Sequence, residues 1–109
     1  MSKKFKTEDF SSAILESWED FKITDIKKCE QTPRPQLMFH WRFKGYEGVG
    51  HIDYDDNFRL RNEFGNNDSY LSLTIKCREK HPSLKPTASL YNDKNLAIVF
   101  QRILDRYFS

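Results

Sequence analysis

Three residues near the middle of the chain have side chains that ligate zinc in proteins, namely His40, His51 and Asp53. Two imidazoles and one carboxylate can hold zinc when water completes the coordination. These side chains meet only if two strands pair so that His40 lies opposite Asp53. In that register Arg42 lies opposite His51, where its positive charge would repel a dication. The sequence also shows no complete set of zinc ligands with supporting hydrogen-bond partners. We therefore expect an exposed His–Asp pair, with no bound metal and no cofactor.

Other patterns for catalysis or ligand binding fail at particular residues. Asp53–Asn57 has the acidic spacing that begins a calcium loop, but the glycine and glutamate required at positions six and twelve are Phe58 and Phe64. No serine lies in a Gly-x-Ser-x-Gly elbow, and four glycines leave little room for a phosphate-binding loop. Cys77 falls on the predicted core face, where a thiol is expected to be inert. We therefore expect a protein that is not an enzyme.

The elements that would position these residues are four consecutive antiparallel strands, predicted between Leu37 and Arg78 by alternating apolar and polar residues. Turns are predicted at 45–48, 55–57 and 65–68. The first turn sets Trp41 opposite Ile52, and a one-residue slip would move polar groups into the core. Alternatively, residues 55–57 form a bulge in one continuous strand, which would keep the same apolar side chains on the core face. The predicted core face collects Phe39, Trp41, Phe43, Ile52, Tyr54, Phe58, Leu60, Leu71, Leu73, Ile75 and Cys77.

A helix is predicted on each side of these strands. The apolar stripe of the N-terminal helix comprises Phe10, Ile14, Trp18 and Phe21, and that of the C-terminal helix comprises Leu96, Val99, Phe100, Ile103 and Tyr107. Ile23–Cys29 is either a loop or a short edge strand protected by its lysines, and residues 1–6 are expected to fray. The predicted fold class is α+β. It is a single domain over 1–109, with an antiparallel four- to five-strand meander and both helices packed on one face.

The sheet face turned away from the helices is the candidate binding surface, because basic residues outnumber acidic ones there. The partner-binding residues predicted from this pattern are His40, Arg42, Lys44, Arg59, Arg61, Tyr70, Lys76 and Arg78. Arginine suits such a role because it forms bidentate pairs with carboxylates. The alternative is a solvated face with weak cross-strand ion pairs, which is normal for a half-exposed sheet.

Composition narrows the classes of partner. Aromatic residues make up 15% of the chain, which argues against disorder. With 18 basic and 16 acidic residues the formal charge is +2, which disfavours a dedicated duplex-DNA binder. No apolar run approaches the roughly 18 residues of a membrane helix, and no apolar signal segment follows Met1. We therefore expect a cytoplasmic protein with reduced cysteines and no membrane partner.

These observations predict a small non-enzymatic protein-binding module that docks a partner on its charged sheet face. Stoichiometric inhibitors and immunity proteins are of this kind. The alternative is a single-stranded nucleic-acid-binding protein that places the same basic residues on phosphates, with binding that weakens steeply as salt rises. A third interpretation is a homodimer formed through an exposed sheet edge.

Overall fold

The computed structural model describes residues 7–29, 35–61, 69–74, 76, 89–91 and 94–109. Its elements are α1 (Thr7–Glu16), a 3-10 helix (Trp18–Asp20), β1 (Lys22–Cys29), β2 (Gln36–Phe43), β3 (Tyr46–Asp53), β4 (Tyr70–Leu73), β5 (Ser89–Tyr91) and α2 (Lys94–Tyr107). The strands form one antiparallel sheet in which each strand pairs with the next along the chain. The α+β class with an antiparallel sheet, predicted from the sequence, is confirmed.

The helices cover one face of the sheet, which we call the inner face. The ring of Phe10 on α1 contacts Trp41 and Phe43 edge-on, with centroid distances of 5.8 and 5.7 Å. The buried apolar side chains are Phe10, Ile14, Phe21, Leu37, Phe39, Trp41, Phe43, Ile52, Tyr54, Leu71, Leu73, Leu90, Leu96, Val99, Phe100, Ile103 and Leu104. Tyr107, predicted on the buried stripe of the C-terminal helix, is instead 39% exposed because it borders an open groove beside β1.

A tight two-residue turn joins β2 to β3. Lys44 and Gly45 have φ angles of 46° and 84°, the left-handed conformation that both central residues of a type I′ turn require. Glycine adopts this conformation without a steric penalty. Phe43 and Tyr46 are therefore directly paired, and the turn matches the twist of the two strands.

This short turn corrects the predicted strand register. The sequence predicted a longer turn at 45–48, with Trp41 opposite Ile52, whereas Trp41 lies opposite Gly48, four residues away. Side chains alternate between faces with a period of two, so an even shift leaves each residue on its predicted face. Trp41 and Ile52 therefore both remain in the core despite the wrong pairing.

Two glycines of β3 allow close approach of neighbouring strands. Gly50 is buried opposite Phe39, and a Cβ atom added to it would overlap that ring. Gly48 is buried opposite Trp41, and its Cβ atom would overlap the carbonyl oxygen of Ser72. Gly50 therefore makes room for the ring of Phe39, and Gly48 allows the backbone of β4 to approach β3 closely.

Over residues 54–61 the chain turns back on the end of β3, and in this described part the predicted third strand is reduced to a single bridge; residues 62–68, with the predicted turn at 65–68, lie outside the described residues. The carboxylate of Asp55 accepts hydrogen bonds from the backbone N–H groups of Asn57 and Arg59, at 2.9 and 3.0 Å. These bonds fold the chain back, and Tyr54 makes only an isolated bridge with Leu60. Phe58, predicted in the core, has a φ of 60° and is 45% exposed.

The fourth predicted strand is shorter than expected, and it pairs directly with β3. Gly50 lies opposite Leu71, and the strand ends at Leu73 rather than continuing to Arg78. Lys76 has helical backbone. The predicted core residues Ile75 and Cys77 lie outside the described residues. β5 pairs with β4 and was not predicted from the sequence.

Candidate binding surface

The sheet face opposite the helices is the candidate functional site, and we call it the outer face. The strand registers and side-chain exposures place on it Lys22, Thr24, Asp25, Lys27, Met38, His40, Arg42, Glu47, Val49, His51, Tyr70, Ser72 and Thr74. Part of this face forms a shallow depression of about 790 Å³ across β1, β2 and β3. The outer face is therefore concave in this part, and its described residues combine both charges with apolar groups.

A bulge in β1 brings an acidic residue onto the outer face. The register between β1 and β2 shifts between Thr24 and Lys27, and Asp25 has a φ of 53°, which is more accessible to aspartate than to most residues. The Oδ2 atom of Asp25 lies 3.0 Å from Nδ1 of His40. Both side chains are more than half exposed, so this pair orients the imidazole more than it stabilises the fold.

A second ion pair joins β2 and β3 on the same face. Arg42 and Glu47 are directly paired, and Nε of Arg42 lies 3.3 Å from Oε2 of Glu47. The side chain of Arg42 is 80% exposed. Because guanidinium carries five N–H donors, it can engage a second acceptor from another molecule while it holds Glu47.

The centre of the outer face is apolar. Met38 is 45% exposed and Val49 is 42% exposed, and they are diagonal neighbours because Met38 pairs with His51 and Val49 with His40. The imidazole of His51 stacks on the ring of Tyr70, with a centroid distance of 5.3 Å. Its Nε2 atom lies 2.9 Å from the Oε1 atom of Gln36. An aliphatic and aromatic strip therefore crosses the middle of a polar sheet.

Three of the predicted binding residues lie on the outer face, and Lys44 does not. His40, Arg42 and Tyr70 project from it. Lys44 lies in the hairpin turn, where its Nζ atom donates a hydrogen bond to Oγ of Ser17 at 3.1 Å. Its side chain is therefore directed toward the helical layer, a correction that follows from the shorter turn.

The predicted arginine pair of the third strand also lies elsewhere, because residues 55–61 fold back as a loop. Arg59 is exposed and borders a hollow beside α2. Arg61 is only 25% exposed, and its Nε atom donates a hydrogen bond to the carbonyl oxygen of Tyr54 at 3.2 Å. Lys76 is exposed beyond the end of β4, and Arg78 lies outside the described residues.

His40, His51 and Asp53 do not converge as the predicted register required. His40 pairs with Val49, while Asp53 pairs with Gln36 at the far end of the hairpin. Asp53 is fully buried, and its Oδ1 atom lies 3.9 Å from Nε of Arg61. The expected cross-strand contact between His40 and Asp53 is therefore wrong, and His40 contacts Asp25 instead.

Several residues of the outer face were not predicted from the sequence, and Met38 and Val49, which form its apolar centre, are the most important of them. Both occupy outward positions in the alternation, Met38 between Leu37 and Phe39 and Val49 between two glycines. An apolar residue at an outward position was therefore a signal available from the sequence. Recognising it required the pairing of β2 with β3, since only that pairing makes the two side chains neighbours.

Comparison with protein-family models, with curated proteins and with solved structures finds no match for this chain. Among the residues that the structure describes, neither helix has the length and apolar character needed to span a membrane.

Proposed function

We propose that this protein is a binding module for another protein, which it engages through the outer face by stoichiometric contact rather than by chemistry. The observation that supports this most strongly is the exposure of Met38 and Val49, side by side, at the centre of a charged sheet face. Protein interfaces characteristically have an apolar core inside a polar rim, and they are enriched in methionine, arginine and aromatic residues.

The free energy of docking would come mainly from this apolar centre. Burying the exposed parts of Met38 and Val49 under a partner would contribute on the order of 1 kcal/mol each. Adequate affinity would then require aromatic or aliphatic side chains of the partner in the concave part of the outer face. The geometry therefore favours a protuberance on the partner rather than a flat surface.

Charge would orient the partner and select its surface. Arg42 and Lys22 lie directly opposite each other at one end of the depression, while the carboxylates of Asp25 and Glu47 already contact His40 and Arg42. A partner with acidic groups around its contact region would be attracted by this end of the outer face. Inhibitors and immunity proteins work in this manner, and the proposed class includes them.

The positions of two predicted features favour protein over single-stranded nucleic acid on this face. Tyr70 has one side of its ring covered by His51, at 5.3 Å, which leaves a smaller platform for stacking a base. Arg59 and Arg61, which were expected to bind phosphates, project from a loop instead of the sheet.

The proposal is tested by photo-crosslinking in the cells that produce the protein. A photoreactive amino acid replaces Val49 on the outer face, and in a matched control it replaces Ile98, which is exposed to a similar extent on α2. We expect a discrete adduct from position 49 that is digested by protease and resists nuclease. A further Arg42→Glu change should abolish that adduct without altering the far-UV circular dichroism spectrum.

Three outcomes would contradict the proposal. An adduct that nuclease degrades would assign the outer face to nucleic acid. Equal labelling from positions 49 and 98 would mean that the contacts are nonspecific. An adduct with the mass of two copies of this chain would identify a homodimer.

If the captured partner is an enzyme, we expect an equimolar amount of wild-type protein to block its activity, and the Arg42→Glu variant to leave it active.

A further inference from the structure

A groove lies on the other side of β1, between this strand and the C-terminal part of α2. Its volume is about 740 Å³. Ile103 and Phe21 form a buried floor, while Ile26 and Tyr107 are 37% and 39% exposed along its length. Trp18 closes one wall. The surface of the groove is therefore aliphatic and aromatic, and it is open to solvent.

The bulge in β1 creates this groove. In a regular strand Ile23 and Ile26 would project to opposite faces, because they are separated by an odd number of residues. The bulge adds one residue relative to β2, so Ile23 and Ile26 line the same groove. A β-bulge commonly re-aims a side chain in this way, and here it turns an isoleucine toward α2.

The rim of the groove is cationic among its described residues. Lys22 and Arg106 line it, together with the single carboxylate of Glu19. The guanidinium carbon of Arg102 lies 5.3 Å from the ring centroid of Trp18, so a third positive charge lies near the groove without lining it. An occupant with apolar groups in the groove and carboxylates at its edges would complement both features.

We propose that this groove binds an acidic amphipathic helix supplied by a partner protein. Apolar side chains spaced along one face of such a helix would contact Ile23, Ile26 and Tyr107, as in other helix-in-groove complexes. Its carboxylates would pair with Lys22 and Arg106. This site lies on the helix side of β1 and shares Lys22 with the outer face at its rim, but it does not depend on the function proposed above.

The structure disfavours an extended strand as the occupant. Strand addition requires a regular edge with accessible N–H and C=O groups, whereas β1 is bulged at its middle. β1 also carries three lysines, Lys22, Lys27 and Lys28. Lysines and bulges both protect a sheet edge from pairing. The same lysines would repel one another if β1 paired with β1 of a second copy.

Nucleobases are disfavoured because the most suitable ring is already covered. Trp18 stacks on Phe21 on one side, with a centroid distance of 5.7 Å and an interplanar angle of 18°. Arg102 lies over the ring of Trp18. A base would have to displace one of these contacts in order to stack, whereas an aliphatic side chain needs only the open isoleucine surface.

The test uses a fluorescein-labelled synthetic peptide that forms an acidic amphipathic helix, with leucines at i, i+3, i+4 and i+7 and glutamates on the remaining face. Fluorescence anisotropy is measured with the full-length protein. We expect saturable binding that falls at least about tenfold in Ile26→Ser, a difference of about 1.4 kcal/mol. Ile98→Ser is the matched control, since Ile98 is an exposed isoleucine outside the groove, and it should bind like wild type.

Separate variants test the charge of the groove rim and the independence of the groove from the outer face. Arg106→Glu should weaken binding of the glutamate peptide and strengthen binding of a peptide with lysines in place of the glutamates. Met38→Ser alters only the outer face and should leave peptide affinity unchanged, so failure of one proposal remains distinct from failure of the other. Circular dichroism melts verify that each variant is folded.

Four results would overturn the proposal. These are no saturable binding by the wild type, equal losses in Ile26→Ser and Ile98→Ser, displacement of the peptide by single-stranded oligonucleotide, and a dimer in equilibrium sedimentation that Ile26→Ser dissociates. The third result would assign the groove to nucleic acid, and the fourth would assign it to a second copy of this chain.

Discussion

Replacing Gly50 by alanine should destabilise the protein, because the added methyl group has no space. The Cβ atom would overlap three atoms of the Phe39 ring, and that ring is only 2% exposed, so it cannot move into solvent. Overpacking of this kind costs about 1–3 kcal/mol. The reduced entropy of the unfolded alanine chain offsets about 0.4–1 kcal/mol of that cost. We expect a net loss of about 1–2 kcal/mol, which corresponds to a decrease in Tm of about 4–8 °C.

Urea unfolding and a double-mutant cycle with Phe39→Leu measure this effect. Leucine leaves room for the methyl group, so the double variant should be at least about 1 kcal/mol more stable than the sum of the two single effects predicts. Val49→Ile is the matched control, since it adds one carbon to the same strand on the exposed side, and it should change stability by less than about 0.5 kcal/mol. Additive effects in the cycle would refute the proposed contact between Gly50 and the Phe39 ring.

Three further predictions concern the polar contacts that hold the loops and the bulge. Gln101→Ala removes the acceptor 2.9 Å from the backbone N–H of Leu60; we expect a loss of about 1–2 kcal/mol in urea unfolding and faster hydrogen exchange at that amide. Arg61→Met removes the guanidinium near the buried carboxylate of Asp53; guanidinium chloride unfolding should show a loss of about 3 kcal/mol, with partial recovery in Arg61→Lys. Asp25→Val forces a β-branched residue into a φ of 53° and should cost about 1–2 kcal/mol in thermal unfolding, whereas Asp25→Gly should stay within about 0.5 kcal/mol.

The burial of Phe39, Trp41, Phe43 and Ile52 could be predicted because side-chain parity survives errors in register. Trp41 and Ile52 are buried as expected, although they do not pair with each other. The alternation of apolar and polar residues determines which face a residue occupies, whereas pairing depends on the length of the turn. The turn at Lys44 was mispredicted because lysine at positive φ is uncommon, and Gly45 alone did not identify a two-residue loop.

The loop after β3 could not be predicted from periodicity. Tyr54, Phe58 and Leu60 have the spacing of a strand, but Asp55 accepts hydrogen bonds from two N–H groups that a strand would have used in a ladder. The side chain of Gln101 then accepts a hydrogen bond from Leu60 across 41 positions of sequence. A local capping interaction and a distant glutamine thus outweigh the strand propensity of this segment. For this reason two predicted binding residues, Arg59 and Arg61, lie outside the sheet.

The one-residue bulge in β1 contributes to both candidate surfaces. On one side it places the carboxylate of Asp25 beside His40 on the outer face, and on the other it turns Ile26 into the groove next to α2. A regular strand would reverse at least one of these orientations, because its side chains alternate strictly. The bulge also interrupts the outermost edge of the sheet, which disfavours uncontrolled strand pairing. β1 therefore borders both proposed binding surfaces, and Lys22 lines each of them, so the two proposed partners would meet at this residue.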